Sequence, residues 1–267
     1  MEVQWRRVSD DPAEIDALAS LLDERERERA ARRSNPARYI VAHALLRTCS
    51  GDALGVDPSA VEFVRTCATC GSHRHGKPAL VGTGLSVSLS YAGRLAVVAR
   101  SWGGEVGVDV EEVDETDFDG FNAVTLDPSE APALEGLSGA DLRCARARVW
   151  ARKESVLKAT GHGLVVDPRQ VVVSGPADPA ALVAWHGEHP LPGPVQLADL
   201  DLGDASHVAG VAVLADEPVA VRVVSACPGA GPARPAGRPR RAAVRRRRRP
   251  AASGCPARVP SCRPGTR

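Results

Sequence analysis

The chain has 267 residues, with 43% hydrophobic and 25% charged side chains, a composition that excludes a disordered or fibrous protein and suits one large domain or two small ones. Its longest apolar run, near Val208 to Ala215, is far short of the roughly 18 residues that span a bilayer, so no membrane partner is expected and the expected location is the cytoplasm. The net charge of +1 hides an asymmetry: residues 228 to 267 hold 12 arginines and no acid, leaving 22 basic against 33 acidic side chains in the body.

In chain order, Asp11-Pro12 opens a helix with Ile15, Leu18, Leu21 and Leu22 on one face, and the charged stretch Asp23 to Arg33 continues it. Asn35-Pro36 opens a second helix, apolar at Ile40, Val41, Ala44 and Leu45, which is expected to stop near Gly51. Runs at 61–65, 85–89, 94–100 and 105–110 predict a small antiparallel sheet. A long helix follows from Ser138 to Thr160, ended by Gly161. Strand patterns resume at 170–174, 181–185, 195–200, 207–215 and 219–224.

The expected fold class is therefore α+β, in two similar halves with a ligand cleft between them: 1–108, 109–227, and a tail 228–267. The tail carries eight prolines and little that is large and apolar, so it is expected to be disordered. Its run Arg245 to Arg249 has no interleaved aromatics, and no nucleic-acid partner is expected. Seven cysteines without a secretion signal read as free thiols rather than a disulfide framework.

Four motifs carry chemistry. In Gly107-Val108-Asp109-Val110-Glu111 the two carboxylates stand at i and i+2 on a strand and share a face. Alone, such a pair is more often a solvated strand end than a metal site. In Trp150-Ala151-Arg152-Lys153-Glu154-Ser155-Val156-Leu157-Lys158, Trp150, Glu154 and Lys158 follow at i+4 on one helix face, opposite an apolar stripe of Leu142, Ala145, Val149 and Val156. With that helix across the sheet, Glu154 joins Asp109 and Glu111 as a third oxygen ligand, a set suited to Mg²⁺ and a pyrophosphate substrate. Gly76-Lys77-Pro78 offers a cation for phosphate, and Val87-Ser88-Leu89-Ser90-Tyr91 ends a strand in a turn and offers a hydroxyl. The chain's other lysines, Lys153 and Lys158, both fall in the helix motif.

The order Gly-Lys-Pro, Ser-Leu-Ser, Gly-Val-Asp-Val-Glu, Trp-x-x-Lys-Glu-Ser-x-x-Lys resembles the Sfp-type 4′-phosphopantetheinyl transferases, and the helix Arg38 to Arg47 is similar to that family's N-terminal segment. The resemblance covers most of residues 20 to 227. It implies a monomer of two subdomains related by a pseudo-twofold, each a small antiparallel sheet packed with helices, with coenzyme A and Mg²⁺ between them. It also implies transfer of the phosphopantetheine arm to a serine of an acyl or peptidyl carrier protein, releasing adenosine 3′,5′-bisphosphate. By resemblance Asp109, Glu111 and Glu154 hold the metal, Glu154 accepts the serine proton, and Lys158 faces the pyrophosphate. Lys77, Pro78 and Ser90 meet the nucleotide, and Arg33 and Arg38 the 3′-phosphate. Where the family usually has His, this chain has Tyr91, which can donate a hydrogen bond but brings no charge; Arg38 or a neighbour is expected to compensate.

Cys67-x-x-Cys70-x-x-His73-x-His75 has the residue types of a zinc site, with free thiols on a cleft-edge loop as the other reading. Two other functions use the same residues: a Mg²⁺-dependent phosphohydrolase of a nucleotide pyrophosphate, and a coenzyme A or nucleic-acid binding module in which Glu154 is structural.

Overall fold

A four-stranded sheet and a three-stranded sheet, each backed by one long helix, make up the fold in a computed structural model that describes residues 1–66, 71–73 and 76–226. The strands of the first sheet are β1 (Glu2–Arg7), β4 (Ser86–Ala92), β5 (Leu95–Ser101) and β11 (Arg222–Ser225), in the order β11-β1-β5-β4. Those of the second are β6 (Val106–Glu112), β9 (Val195–Leu200) and β10 (His207–Leu214), in the order β6-β10-β9. Two small ladders, β2 (Val64–Arg65) with β3 (Pro78–Ala79) and β7 (Val171–Val173) with β8 (Leu182–Trp185), flank them. The helices are α1 (Pro12–Ala19), α2 (Glu24–Ala31), α3 (Pro36–Leu54), α4 (Phe121–Thr125) and α5 (Gly139–Thr160).

Alternation along the strands builds the layers. Leu95, Val97 and Ala99 of β5 meet Val106, Val108 and Val110 of β6 and Val211 of β10 in a core shared by both sheets. The other face of β5, at Ala96 and Val98, packs on Val41, Leu45 and Leu46 of α3. The other face of the second sheet, at Ala212, packs on Val149, Val156 and Leu157 of α5. The order α3, first sheet, shared core, second sheet, α5 gives the α+β class expected from the sequence.

Several boundaries differ from the sequence expectation. The first helix breaks at Asp23, whose carboxylate accepts the Glu26 N–H at 2.8 Å while Glu26 accepts the Asp23 N–H at 3.2 Å, a capping box that starts α2 afresh. Helix α3 runs past Gly51 to Gly55, which takes the left-handed conformation at φ 70°. β6 pairs with β10 rather than with β5, and β11 returns to lie parallel to β1 in the first sheet. The described residues up to Ala226 belong to one compact unit. The basic tail lies outside the described residues. No helix among the described residues is long and apolar enough to cross a membrane.

The two sheets meet along β4 and β6 through side chains. The N–H groups of Val106 and Val108 donate to Ser86 Oγ and Ser88 Oγ, both at 3.1 Å, and Ser90 Oγ, next on the same face, donates to Asp109. The Ser-x-Ser spacing thus serves as a seam of hydroxyls at the strand period of two.

Candidate active site

Odd-numbered residues of β6 face α5, and the first of them must be glycine. A Cβ on Gly107 would stand 2.0 Å from the Ser155 carbonyl oxygen and 2.3 Å from the Ala159 nitrogen of α5. Gly210, opposite Asp109 on β10, lets the same helix approach, since its Cβ would lie 3.1 Å from Ser155 Oγ. Two glycines therefore allow α5 to lie directly on the strands, so that Glu154 and Lys158 reach Asp109 and Glu111.

Ser90 Oγ donates to Asp109 Oδ1 at 2.8 Å, and Lys158 Nζ donates to the same Oδ1 and lies 3.1 Å from Ser90 Oγ. Asp109 is 2% exposed, and its Oδ2 and the Oε1 of Glu154 are buried with no hydrogen-bond partner. Burial, then the Asp109 charge, pushes Glu111 up to about 9. The same two causes push Glu154 up to about 7, against the pull of Lys158. Burial alone would lower the Lys158 ammonium, but Asp109 and Glu154 hold it above the usual lysine range. Three carboxylates share one ammonium, so the site is short of positive charge. Among the described residues no group of three or more His, Cys, Asp or Glu side chains is arranged to hold a metal ion. The donor set and its two orphaned oxygens nonetheless fit a hard, partly hydrated cation.

A cleft of about 630 Å³ opens beyond the N-terminal end of β6, bounded by Lys77, Pro78, Ser86 and Glu105 on one side and Gly161, His162 and Val165 on the other. Lys77 Nζ donates to Glu105 Oε2 at 2.7 Å, which also accepts from Ser86 Oγ at 2.9 Å. Ser86 and Ser90 lie on one face of β4, so the cleft and the carboxylate cluster follow the same seam.

On the opposite face of β4, Tyr91 meets Tyr39 of α3 edge-on at 6.4 Å. The Arg38 guanidinium lies 5.9 Å from the Tyr91 ring centre and that of Arg33 lies 5.6 Å from Tyr39. The structure thus gathers Arg33, Arg38 and Tyr91, but across the strand from Ser90. Sequence reading missed Arg65 here. It donates to the Gly76 carbonyl at 3.0 Å, and burial lowers its guanidinium below the usual arginine range. A basic residue ending the 61–65 strand just before the Lys77 loop was its only signal.

Trp150 departs from the expected working face: it packs against the α5 core with Val149 and Val156. Of the proposed zinc ligands, Cys67, Cys70 and His75 lie outside the described residues. His73 Nδ1 lies 3.1 Å from the Arg65 carbonyl oxygen and 3.3 Å from Thr66 Oγ1.

The family model described as the 4′-phosphopantetheinyl transferase superfamily matches residues 105–211, the segment that holds Asp109, Glu111, Glu154 and Lys158. The chain is 30% identical over 187 residues to the 4′-phosphopantetheinyl transferase HetI of Nostoc sp., covering 67% of this chain and 76% of that protein. It is 24% identical over 155 residues to a 4′-phosphopantetheinyl transferase of Bacillus subtilis, covering 57% and 65% of the two chains. Motif order, the layered α+β fold and these matches agree, and the chain belongs to the 4′-phosphopantetheinyl transferase superfamily.

Proposed function

We propose that this transferase, which uses coenzyme A as donor and a carrier protein as acceptor, works between the halves 1–108 and 109–227, with Mg²⁺ held by Asp109, Glu111 and Glu154 and a carrier serine as nucleophile. The observation that carries the metal assignment is the charge imbalance: Asp109 Oδ2 and Glu154 Oε1 are buried without partners while Glu111 and Glu154 are pushed up to about 9 and about 7. Bound there, Mg²⁺ supplies charge neutralisation at the pyrophosphate oxygens.

The chain's own groups divide the remaining work. Glu154, titrating near neutral pH, accepts the proton as the serine oxygen bonds to the phosphorus that carries the pantetheine arm. The bond from that phosphorus to the bridging oxygen breaks, and adenosine 3′,5′-bisphosphate leaves with the electron pair. Lys158, beside Ser90 and Asp109, offsets the charge that gathers on the departing phosphate. Lys77 and Pro78 hold the nucleotide along the cleft, with Ser90 on the same seam. Arg38 and Arg33, beside Tyr91 and Tyr39, take the 3′-phosphate and supply the charge that Tyr91 lacks.

Intact-mass spectrometry of apo acyl and peptidyl carrier proteins after incubation with the chain, coenzyme A and Mg²⁺ tests this reading. A gain of one phosphopantetheine group, absent with Glu154→Ala, is expected. Coenzyme A breakdown without a mass gain would instead identify a phosphohydrolase, and no consumption with any carrier a binding module.

A further inference from the structure

Lys153, inside the helix motif, has no task among the site residues. It is 0% exposed, and its Nζ donates to Glu130 Oε2 at 2.5 Å and to the Pro168 carbonyl at 3.0 Å. Glu130 also accepts the N–H groups of Asp127 and Val173, each at 2.8 Å, so one carboxylate ties α5 to β7 and to the segment before residues 131–134. Arg152, the residue before, is likewise 0% exposed. Its Nε and Nη2 grip both oxygens of Asp199 on β9, at 2.9 and 2.7 Å. Its Nη1 donates to the carbonyls of Ser174 and Gly175, and its Nη2 also to that of Asp178. Two consecutive buried cations, fully engaged by surrounding segments, immediately precede Glu154.

Stability alone is a weak reason for this arrangement, because apolar residues of similar volume commonly replace buried ion pairs at no loss. Direction is a better one. The apolar stripe of α5 would tolerate a small turn of the helix about its axis, since burial is non-directional, whereas hydrogen bonds are not. A turn of about 20° moves a side-chain tip at a radius of 5 to 6 Å by roughly 2 Å, and a misplacement of about 1 Å can cost a hundredfold in rate. We propose that Arg152 and Lys153 are positioning residues that fix the rotation of α5 about its axis, so that Glu154 and Lys158 face Asp109. The proposal rests on the reading of Glu154 and Lys158 as the reacting groups.

Asp199→Asn and Glu130→Gln test it in the full chain, because each keeps shape, removes one anchoring charge and touches no site residue. Steady-state transfer to an apo carrier is read with the melting temperature and the ¹H–¹⁵N spectrum of the lysine ammonium groups. Lys77, Lys153 and Lys158 are the only lysines, so the Lys158 signal is readily assigned. Expected are a kcat reduced about tenfold or more, a coenzyme A KM within about twofold, and a displaced Lys158 signal. Arg152→Lys, which keeps the charge without the fork, is expected to share the loss. A wild-type kcat despite a lowered melting temperature, or an unmoved Lys158 signal, would overturn the proposal. Should Glu130→Gln fail to fold, Asp199→Asn carries the test, since the Asp199 side chain is 38% exposed. Failure of the unsubstituted chain to modify any carrier would refute the functional reading, and the ammonium spectrum, which needs no turnover, would still decide the helix rotation.

Discussion

Glu26 and Glu154 are the same side chain in two environments. Both sit on helices and both are withdrawn from water. Glu26 is opposed by burial but receives hydrogen bonds from His43 at 3.1 Å and from Arg47 at 2.6 Å, and its carboxyl is held down at about 2. Glu154 has burial and the Asp109 charge against it, one oxygen without a partner, and a carboxyl raised to about 7. The difference is whether the protein provides the counter-charge. Around Glu26 the chain completes its own electrostatics; around Glu154 it leaves them for something else to complete.

Opposite phenotypes are the sharpest way to break this contrast. Glu154→Ala should reduce carrier modification by about 10²- to 10⁴-fold, the usual worth of a general base, while leaving the melting temperature equal or higher. Unchanged turnover in the mass assay would show that Glu154 is only structural. Glu26→Ala should do the reverse: stranding Arg47 and His43 costs about 3 to 5 kcal/mol, read as a lower midpoint in denaturant, with turnover per folded molecule little changed.

Acidity separates the two sites as well. The folded pKa of Glu26 lies below its ordinary 4.5, so its contribution is fully present above pH 4.5 and is lost as pH falls through about 2. The shift corresponds to stability on the order of 3 kcal/mol. Glu111 and Glu154 are raised, so their contribution has the opposite sign: they favour the fold at low pH and oppose it increasingly as pH climbs past 4.5 towards about 9. Added Mg²⁺ should therefore raise the melting temperature more at pH 8 than at pH 5.5, and Glu111→Gln should remove most of the rise. An equal rise at both pH values would place the metal elsewhere.

Smaller effects refine the comparison on the arginine-rich side. Arg38→Ala should raise the coenzyme A KM about tenfold, as expected for one charge-assisted hydrogen bond, and leave that for the analogue without the 3′-phosphate unchanged. Tyr91→Phe should change it by less than about twofold, since Tyr91 brings no charge. Equal sensitivity to both substitutions would make Tyr91 a phosphate ligand. Least of all, removing residues 228–267 should leave turnover within about twofold, because every proposed site residue precedes residue 228.

The motifs of the candidate site were legible because the chemistry proposed for them needs fixed residue types at fixed spacing: Asp109 and Glu111 at i+2, Glu154 and Lys158 at i+4. Helix ends marked by Asn35 and Gly161 were legible for the same local reason. Partners distant in sequence were not. Glu26 lies in an alternating Glu and Arg run that reads as a solvated face, and only α3 packing against it shows that its carboxylate is spoken for. The close approach that requires Gly107 depends on the backbone of a helix some fifty residues later. Arg152 resembled any surface arginine until β9 and the turn after β7 closed around it.

The parallel pairing of β11 with β1 bears on how the chain is made. Glu2 stands opposite Arg222, the Arg222 N–H donates to the Met1 carbonyl, and the Ala226 N–H donates to that of Trp5. At about 5 to 20 residues per second, a ribosome needs roughly 10 to 45 seconds to supply the partner of a strand it made first. Until then β1 has β5 on one side and an open edge on the other, a template for a second nascent chain. β1 emerges well before β11 and is completed only when β11 arrives, and in that interval its open edge is exposed to mispairing.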